Sequence, residues 1–377
     1  MKLLAAAVAA AALGLPAAQG SSPATVPGLV YTPGYGNSIL TSYDPVTLVR
    51  SGPRVRLGGN ASSWSWSPAR RYLAIASYPQ RLTIVDARNM RVVTRMRLAR
   101  GGGVARAVTW AGSRVLAVVE APAGTVVTVV DPFTARVIRT TRVAHPFGYQ
   151  LERLRDGLVF LLGARNRSGP ARVAVVDALG ETRVAVVPQA RVGTVGLAVD
   201  PVRRKAYLAE GEAVFALDLR TLAVSDRGPL RALAKAPLGS ERSARWLGNG
   251  RLAVSGLDRD QSNAEPAGLR IIDLRDGTSR TIDPTASSFT RAGSVLVVEH
   301  AQGREGLSAT AYGFGGRQRY HLDLVGSTWM KKQGRLGYAC RQAFLRAVVD
   351  LETGGILRAR FAAGTRCPTL LVDDSRS

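Results

Sequence analysis

Residues 64–98 read WSWSPARRYLAIASYPQRLTIVDARNMRVVTRMRL and contain four short runs with β-strand character. Turn-forming or polar residues separate these runs, with Ser67 and Pro68 after the first run and Asp86 to Asn89 after the third. Short runs rich in Val, Ile, Thr and aromatic residues, bounded by such residues, are typical of strands. The stretch therefore predicts a four-stranded antiparallel unit, and the rest of the chain repeats it.

The most regular part of the repeat is an aspartate that follows one strand-like run and precedes another. An Asp carboxylate at the first position of a turn can accept hydrogen bonds from backbone N–H groups two or three residues further on. We therefore interpret these aspartates as turn formers and not as catalytic acids. They are Asp44, Asp86, Asp131, Asp177, Asp218, Asp273 and Asp350.

The intervals between these aspartates are 42, 45, 46, 41, 55 and 77 residues. A degenerate copy at residues 307–322 divides the longest interval, which gives eight units with a period of about 44 residues, as in β-propeller blades. The sequence thus predicts an all-β fold, a single β-propeller of four-stranded blades over residues 21–377. We expect eight blades, or seven if one hairpin is an insertion.

The two ends of the chain predict how the ring closes. The first hairpin has one strand before it, Gly28 to Thr32, but lacks a fourth, and the last hairpin is followed by an extra strand, Cys367 to Val372. A C-terminal strand that joins the N-terminal blade would leave no open edge. Within the 55-residue interval, the polar residues 258–266 predict a long loop on one face of the ring.

Two motifs resemble known propeller repeats. Residues 66–74, WSPARRYLA, resemble the signature of WD40-like and TolB-like bacterial propellers, although Ala69-Arg70 replaces the usual Asp-Gly. The Ile-Val-Asp hairpin at residues 84–86 is similar to the YVTN-type repeat of exported surface propellers. The resemblance implies a propeller, and it carries no catalytic residues with it.

The N-terminus and the cysteines indicate export. Residues 1–20 have a basic start, an apolar run of 13 residues and small residues before Gly20, as in a secretory signal peptide. A bilayer span needs about 20 apolar residues, so a membrane anchor fits this run less well. In a secreted or extracytoplasmic protein, the two cysteines, Cys340 and Cys367, predict a disulfide. Two thiols and three histidines are a poor ligand set for a metal, and we expect no cofactor.

The chain has a formal net charge of +24, almost all of it from arginine. A functional basic surface for nucleic acid, cell-wall polymer or anionic lipid is one interpretation. A genome that encodes arginine where others encode lysine is the other, and the even spread of arginine along the chain favours it. That preference does not explain the shortage of Asp and Glu, so we expect a basic surface that favours acidic partners.

Candidate site residues follow from where propellers bind ligands, at the mouth of the central channel. We expect His145, Arg191 and Arg242 just before inner strands, and Arg259, Glu299 and His300 in loops between second and third strands. One interpretation takes Glu299, His300 and His145 as an acid–base group. No spacing rule supports it, so we favour the other interpretation, that these residues reflect the ordinary polarity of loops. No P-loop, Gly-x-Ser-x-Gly or His-Glu-x-x-His motif is present.

These observations favour an exported, monomeric, non-catalytic propeller that binds a protein or an anionic cell-envelope polymer through a basic face. Specific nucleic-acid binding is not expected. The alternative is a propeller enzyme of the lactonase, lyase or quinoprotein dehydrogenase type, since the fold alone does not determine function. Acidic groups that converge at the channel mouth would favour the enzyme, and a field of arginines would favour the binding protein.

Overall fold

The computed structural model of the chain describes residues 28–32, 38–98, 102–163, 169–191, 194–210, 213–226, 241–260, 263–301, 306–327, 329–342, 344–361, 365–367 and 370–371. These residues form strands, turns and irregular segments, and none of them belongs to a helix that could cross a membrane. The predicted all-β fold class is confirmed. The predicted signal peptide, residues 1–20, lies outside the described residues.

The strands form eight antiparallel sheets, numbered here in chain order. Sheet 1 contains β1 (Gly28–Thr32), β2 (Ile39–Tyr43), β3 (Arg50–Arg56) and the last strand of the chain, β33 (Leu370–Leu371). Sheet 2 contains β4 (Ala61–Trp66), β5 (Tyr72–Ser77), β6 (Arg81–Asp86) and β7 (Arg91–Arg97). Sheet 3 contains β8 (Val104–Ala111), β9 (Arg114–Ala121), β10 (Gly124–Asp131) and β11 (Arg136–Val143). Sheet 4 contains β12 (Phe147–Leu154), β13 (Gly157–Leu162), β14 (Pro170–Asp177) and β15 (Thr182–Arg191).

The second half of the chain continues the same order. Sheet 5 contains β16 (Gly196–Asp200), β17 (Lys205–Glu210), β18 (Ala213–Asp218) and β19 (Val224–Asp226). Sheet 6 contains β20 (Glu241–Gly248), β21 (Arg251–Asp260), β22 (Asn263–Pro266), β23 (Leu269–Asp273) and β24 (Thr278–Asp283). Sheet 7 contains β25 (Thr290–Ala292), β26 (Val295–Ala301), β27 (Gly306–Gly313) and β28 (Gln318–Val325). Sheet 8 contains β29 (Trp329–Gln333), β30 (Leu336–Arg341), β31 (Phe344–Asp350) and β32 (Ile356–Arg358).

Apolar side chains on both faces of each sheet hold neighbouring sheets together. In β5, Leu73 and Ile75 pack in a cluster shared with sheet 1, whereas Ala74 and Ala76 pack in a cluster shared with sheet 3. Because successive residues of a strand point to opposite faces, a strand buried on both faces needs an uninterrupted apolar run. Eight such clusters join consecutive sheets, including sheet 8 to sheet 1, and so the sheets form a ring.

The C-terminal strand closes the ring as predicted. Residue Leu371 of β33 pairs with Val30 of β1, and Leu370 pairs with Tyr31. The contact between sheets 8 and 1 also includes a hydrogen bond of 2.8 Å from the Tyr338 hydroxyl to the carbonyl oxygen of Pro45. The first strands of neighbouring sheets contact one another, for example β4 with β8, β16 with β20 and β29 with β33. The first strand in sequence, or β33 in sheet 1, is therefore the inner strand of its sheet.

The predicted disulfide between Cys340 and Cys367 is present, with the two Cα atoms 6.0 Å apart. Cys340 is fully buried in β30, and Cys367 lies three residues before β33. The disulfide therefore ties the segment that completes sheet 1 to the body of sheet 8.

The prediction of a long loop at residues 258–266 is wrong. Strand β21 continues to Asp260 and pairs with β22, in a register that joins Asp258 to Glu265 and Leu257 to Pro266. A hairpin satisfies its backbone hydrogen bonds through its own partner strand, so it does not need the apolar side chains that mark the other strands.

Candidate functional site

The predicted site residues all lie toward one face of the ring. We call it the channel-mouth face, and it holds the connections into inner strands (for example 57–60, 144–146 and 284–289) and those between second and third strands (for example 78–80 and 122–123). Sequence reasoning placed all six residues in loops. The structure places only His145 in a loop, and the other five belong to the ends of strands.

Arg242 is the most buried of the six, with 3% of its surface exposed. Its Nη2 atom donates to the Oδ1 atom of Asp258 at 2.6 Å, and its Nη1 atom lies 3.2 Å from the carbonyl oxygen of Leu257. Arg270, in β23, lies on the same face of sheet 6, on the other side of β21. Burial and the charge of Arg242 lower the pKa of Arg270, while Asp258 opposes that shift.

His300 contacts a buried carboxylate. Its Nε2 atom lies 3.0 Å from the Oδ2 atom of Asp283, and its Nδ1 atom lies 3.4 Å from the Thr285 hydroxyl. The Tyr312 hydroxyl donates to the same Oδ2 atom at 2.9 Å, and burial together with this bond raises the pKa of Tyr312 to about 12. Both ring nitrogens of His300 therefore have a partner within the protein.

Glu299 faces away from His300. Its carboxylate pairs with the ammonium group of Lys332 in sheet 8, and Lys332 also donates to the Thr290 hydroxyl at 2.9 Å. Consecutive residues of a strand point to opposite faces, so Glu299 contacts sheet 8 while His300 contacts Asp283 of sheet 6. The structure does not bring these two side chains together as one acid–base group.

The remaining predicted residues lie apart from those pairs. The backbone N–H of Arg191 donates to Glu210 at 2.7 Å, and burial raises the pKa of that carboxyl. The carbonyl oxygen of His145 accepts a hydrogen bond of 2.7 Å from Thr125, and burial lowers the pKa of the His145 imidazole. The backbone of Arg259 pairs with Ala264 in the β21–β22 hairpin, and the Arg259 side chain is not among those that the structure describes.

Charged side chains that sequence reasoning missed cross the inner rim of the ring. The Nη1 atom of Arg245, in sheet 6, donates to the Oε1 atom of Glu152, in sheet 4, at 2.5 Å. The Nη2 atom of Arg153, in sheet 4, donates to the carbonyl oxygen of Trp64, in sheet 2, at 2.7 Å. Each bond passes over an intervening sheet, which places these side chains at the central channel.

A further arginine, Arg291 of β25, extends this group. Its Nη1 atom donates to the carbonyl oxygen of Trp246 at 3.0 Å, and its guanidinium lies 5.0 Å from the ring centre of Phe314. Burial and the nearby charge of Arg245 lower the pKa of Arg291. Burial also raises the pKa of Glu152, although Arg245 opposes the shift. The channel thus holds charged groups in a partly desolvated environment.

The tryptophans near the inner strands are structural. Trp66 and Trp110 are 7% and 6% exposed, and each belongs to an inter-sheet cluster. The indole Nε1 atom of Trp110 donates to the carbonyl oxygen of Ser65 at 3.0 Å. Trp66 and Trp110 therefore pack between neighbouring sheets.

The chemistry of the donor set in the described part of the chain favours anions over metal ions. No group of three or more His, Cys, Asp or Glu side chains that could hold a metal comes together among the described residues. On the described inner strands, guanidinium and ammonium groups, which donate hydrogen bonds and accept none, outnumber carboxylates.

Comparisons with known proteins support the fold. No protein-family model matches the sequence, and no curated protein matches it. Among solved structures, the chain is similar to the dihydro-heme d1 dehydrogenase NirN in complex with DHE, with a TM-score of 0.60, 14% identity and coverage of 91% of this chain and 75% of that one. It is also similar to Sqt1 of Saccharomyces cerevisiae, with a TM-score of 0.55, 11% identity and coverage of 90% and 89%.

Both of these structures are β-propellers, and at such identities the likeness concerns the fold alone. The YVTN-like or TolB-like repeat type stays a prediction from the sequence. Eight sheets packed in a closed ring and the similarity to two propeller structures identify the chain as a β-propeller.

Proposed function

We propose that this chain is an exported, non-catalytic binding propeller that engages an anionic cell-envelope polymer through its central channel and channel-mouth face. One observation carries the proposal: among the described residues, the inner strands hold seven cationic side chains and three anionic ones. The cationic residues are Arg106, Arg153, Arg242, Arg245, Arg291, Lys331 and Lys332, and the anionic ones are Glu152, Asp200 and Glu241.

For the binding of an anion, the position of this positive charge in the channel matters more than its amount. A cleft lined by charges of one sign, with walls of low dielectric constant, focuses the electric field and concentrates ligands of the opposite sign. The net charge of +24 on the whole chain adds a long-range attraction of the same sign. A flexible polyanion can contact the channel and the surrounding surface together, whereas a neutral ligand gains nothing from either.

The pairing of the acid–base residues supports binding over catalysis. A general base needs access to the proton that it removes. Glu299 is in an ion pair with Lys332, and His300 contacts Asp283 and Thr285 through its two ring nitrogens. Glu299 and His300 therefore belong to two separate structural contacts.

The extracytoplasmic location rests on two features of the chain. Residues 1–20 match the signal-peptide pattern, and the Cys340–Cys367 disulfide is of a kind that persists in oxidising compartments. A cell-envelope polymer would meet the protein there.

The test is a binding titration of the mature chain with fluorescent polyglutamate and with a poly(glycerol phosphate). The channel variant Arg245→Gln/Arg291→Gln removes two charges at the channel. Its matched control, Arg97→Gln/Arg142→Gln, removes two charges from exposed positions on the outer strands β7 and β11. Circular dichroism and thermal melting establish that each variant is folded, and Arg245→Lys tests whether the charge itself matters.

We expect the wild-type chain to bind at least one polymer, with an affinity that falls as the salt concentration rises. The channel variant should bind about tenfold more weakly, equivalent to ~1.4 kcal/mol. The outer-strand variant should change much less, and Arg245→Lys should retain most of the affinity. Equal losses in the two double variants, or no binding of either polymer by wild type, would contradict the proposal.

A further inference from the structure

The interface between sheets 5 and 6 changes from apolar to charged toward the channel-mouth face. Its apolar layer includes Ala244, Val254 and Ile272 of sheet 6, packed against side chains of sheet 5. Arg270 pairs with Val254 and lies beside it on this face. The next rung toward the mouth on β20 carries Arg242, two residues before Ala244, so the apolar layer ends in two arginines.

These arginines have donors without acceptors. The Nε atoms of Arg242 and Arg270 are both buried, and neither has a hydrogen-bond partner among the described residues. Arg242 directs its Nη atoms to Asp258 and to backbone carbonyl oxygens, while Arg270 forms no hydrogen bond or ion pair within the described part of the chain. A buried donor without a partner is costly because it has lost its hydrogen bonds to water, which makes two such donors side by side an unusual arrangement.

The repeat itself marks Arg270 as exceptional. It stands three residues before the turn aspartate Asp273, a position that faces a neighbouring sheet. The six other aspartate hairpins all place an uncharged, buried residue there. These residues are Thr41, Thr83, Thr128, Ala174, Phe215 and Ala347. Burying a charged group is costly unless it is paired, so the packing of the repeat does not by itself account for an arginine here.

Among the described residues, the local charges do not cancel. Asp258 is the acidic group that contacts Arg242, at 2.6 Å, and its single negative charge faces two positive ones. The pair Arg242–Asp258 is held in place by its burial and by the hydrogen bonds to Glu241 and Leu257. The side chain of Arg270, which is partly exposed although its Nε atom is buried, is left as the group that can contact a ligand.

We infer that the interface between sheets 5 and 6 is an oxyanion-binding site, in which Arg270 binds a carboxylate or phosphate group and Arg242 supplies the second positive charge. A guanidinium can present two of its N–H groups together to two oxygens of such a group. Asp258 orients Arg242 and limits the site to one net positive charge, so a single oxyanion neutralises it.

This site lies between two sheets and shares Arg242 with the inner-strand charges of the proposed function, but its ligand-binding residue, Arg270 of β23, is not one of them. A polymer with repeated carboxylates or phosphates could occupy both places, but the oxyanion site does not require that polymer. The two experiments give separate answers, because they use different ligands and variants. Phosphate and acetate are compared on Arg270→Gln, whereas the polymers are compared on Arg245→Gln/Arg291→Gln.

The test measures thermal unfolding and isothermal titration of the full mature chain with sodium phosphate and with sodium acetate, against sodium chloride at equal ionic strength. The variant Arg270→Gln removes the ligand-binding charge. Its matched control is Arg280→Gln, an exposed arginine in β24 of the same sheet. The variant Asp258→Asn removes the competing carboxylate and should raise the affinity for the anion, an effect that a purely structural role would not produce.

We expect phosphate or acetate to raise the melting temperature of the wild type and of Arg280→Gln, with at least a tenfold loss of affinity in Arg270→Gln. The anion that binds more tightly identifies the group, phosphate or carboxylate, that the site prefers. The inference is overturned if neither anion binds the wild type, or if Arg270→Gln binds as tightly as Arg280→Gln. An unchanged or weaker affinity in folded Asp258→Asn also contradicts it.

Discussion

At the scale of single residues, the aspartates of the repeat perform one local task. In seven hairpins the Asp Oδ1 atom accepts the backbone N–H two residues further on, at 2.8–3.0 Å. This confirms their interpretation as turn formers. The same bond stabilises the charged form of the carboxyl, so the contribution of the turn to protein stability depends on pH.

Hydrogen bonds, chiefly from the backbone, lower the pKa of Asp44, Asp131 and Asp218. The folded-state pKa values therefore lie below the unfolded value of about 3.9, and the resulting stability is complete above that pH. We expect it to be lost as the pH falls through the folded pKa values. Melting temperatures from pH 5 to pH 2 at constant ionic strength measure this loss. Asp131→Asn keeps an oxygen acceptor without titrating, so its profile should be flatter; an identical profile would contradict the prediction.

The end of the same turn has a left-handed backbone conformation that residue type does not reveal. In six hairpins the fourth residue after the aspartate has a positive φ, and in four of them it is not glycine. These residues are Leu48, Met90, Ala135, Leu222, Gly277 and Gly354. A left-handed conformation costs a non-glycine residue about 1–2 kcal/mol. Because the residue type varies from copy to copy, the sequence shows no common signal for this position.

Ala135 is exposed and has a φ of 57°. Ala135→Gly removes the steric cost but increases the entropy of the unfolded chain, which offsets about 0.4–1 kcal/mol of the gain. We expect a net stabilisation of up to about 1 kcal/mol in urea unfolding. The neighbouring Arg136→Gly, at the start of β11, should instead destabilise by about 0.5–1 kcal/mol. Equal destabilisation by both substitutions would show that strain at residue 135 is negligible.

The candidate sites show what a sequence can reveal about single side chains. Arg242 could be selected because its place before an inner strand follows from the repeat. Arg270 could not be found by motif, since an arginine in a strand normally indicates an exposed position. Only alignment of the repeat copies on their turn aspartates would have shown it as the single charged residue at that place.

At the scale of strands and hairpins, the polarity of one segment led to a wrong prediction of a loop. Residues 258–266 are rich in charged and polar residues, and yet they extend β21 and form the β22 hairpin. The apolar run that marks strands in this chain reflects burial between two sheets, and not strand formation as such. A hairpin that extends past its neighbours has no such burial, so composition could not distinguish it from a loop.

The disulfide provides a prediction for the segment that enters the last strand. It closes a loop between residues 27 positions apart, and in the chain-entropy model such a crosslink stabilises the fold by about 3–4 kcal/mol. We expect Cys340→Ser/Cys367→Ser to lose about this amount in urea unfolding, and titration of the native wild-type protein to find no reactive thiol. A double variant as stable as the wild type would show that sheet packing alone holds residues 365–371.

At the scale of the whole molecule, the period of the repeat was sufficient to predict the architecture. Each unit predicts the same four strands, and the apolar runs predict sheets covered on both faces, which only stacking can provide. The channel could not be predicted in this way. The contacts of Arg245 with Glu152 and of Arg153 with Trp64 join residues 93 and 89 positions apart, and nothing in the local sequence encodes them.

A ring in which every sheet has two neighbours should be stabilised by its closure as well as by its parts. Sheet 1 depends on β33 for its inner strand, and the interface of sheets 8 and 1 includes Cys367 and the bond from Tyr338 to Pro45. Deletion of residues 365–377 removes both the disulfide and the pairing of β33 with β1. It should therefore destabilise the protein by more than Cys340→Ser/Cys367→Ser, which leaves the strand in place, and it should expose sheet 1 first.

Hydrogen exchange measured by mass spectrometry locates that effect. In the deletion variant, faster exchange should begin in β1 and β2 and in the facing strands of sheet 8, while sheets 3 to 6 remain protected, because each still has two covered faces. In the double serine variant the same strands should exchange only slightly faster than in the wild type. If the deletion is no more destabilising than the loss of the disulfide, the pairing of β33 contributes nothing to stability, and ring closure depends on the crosslink alone.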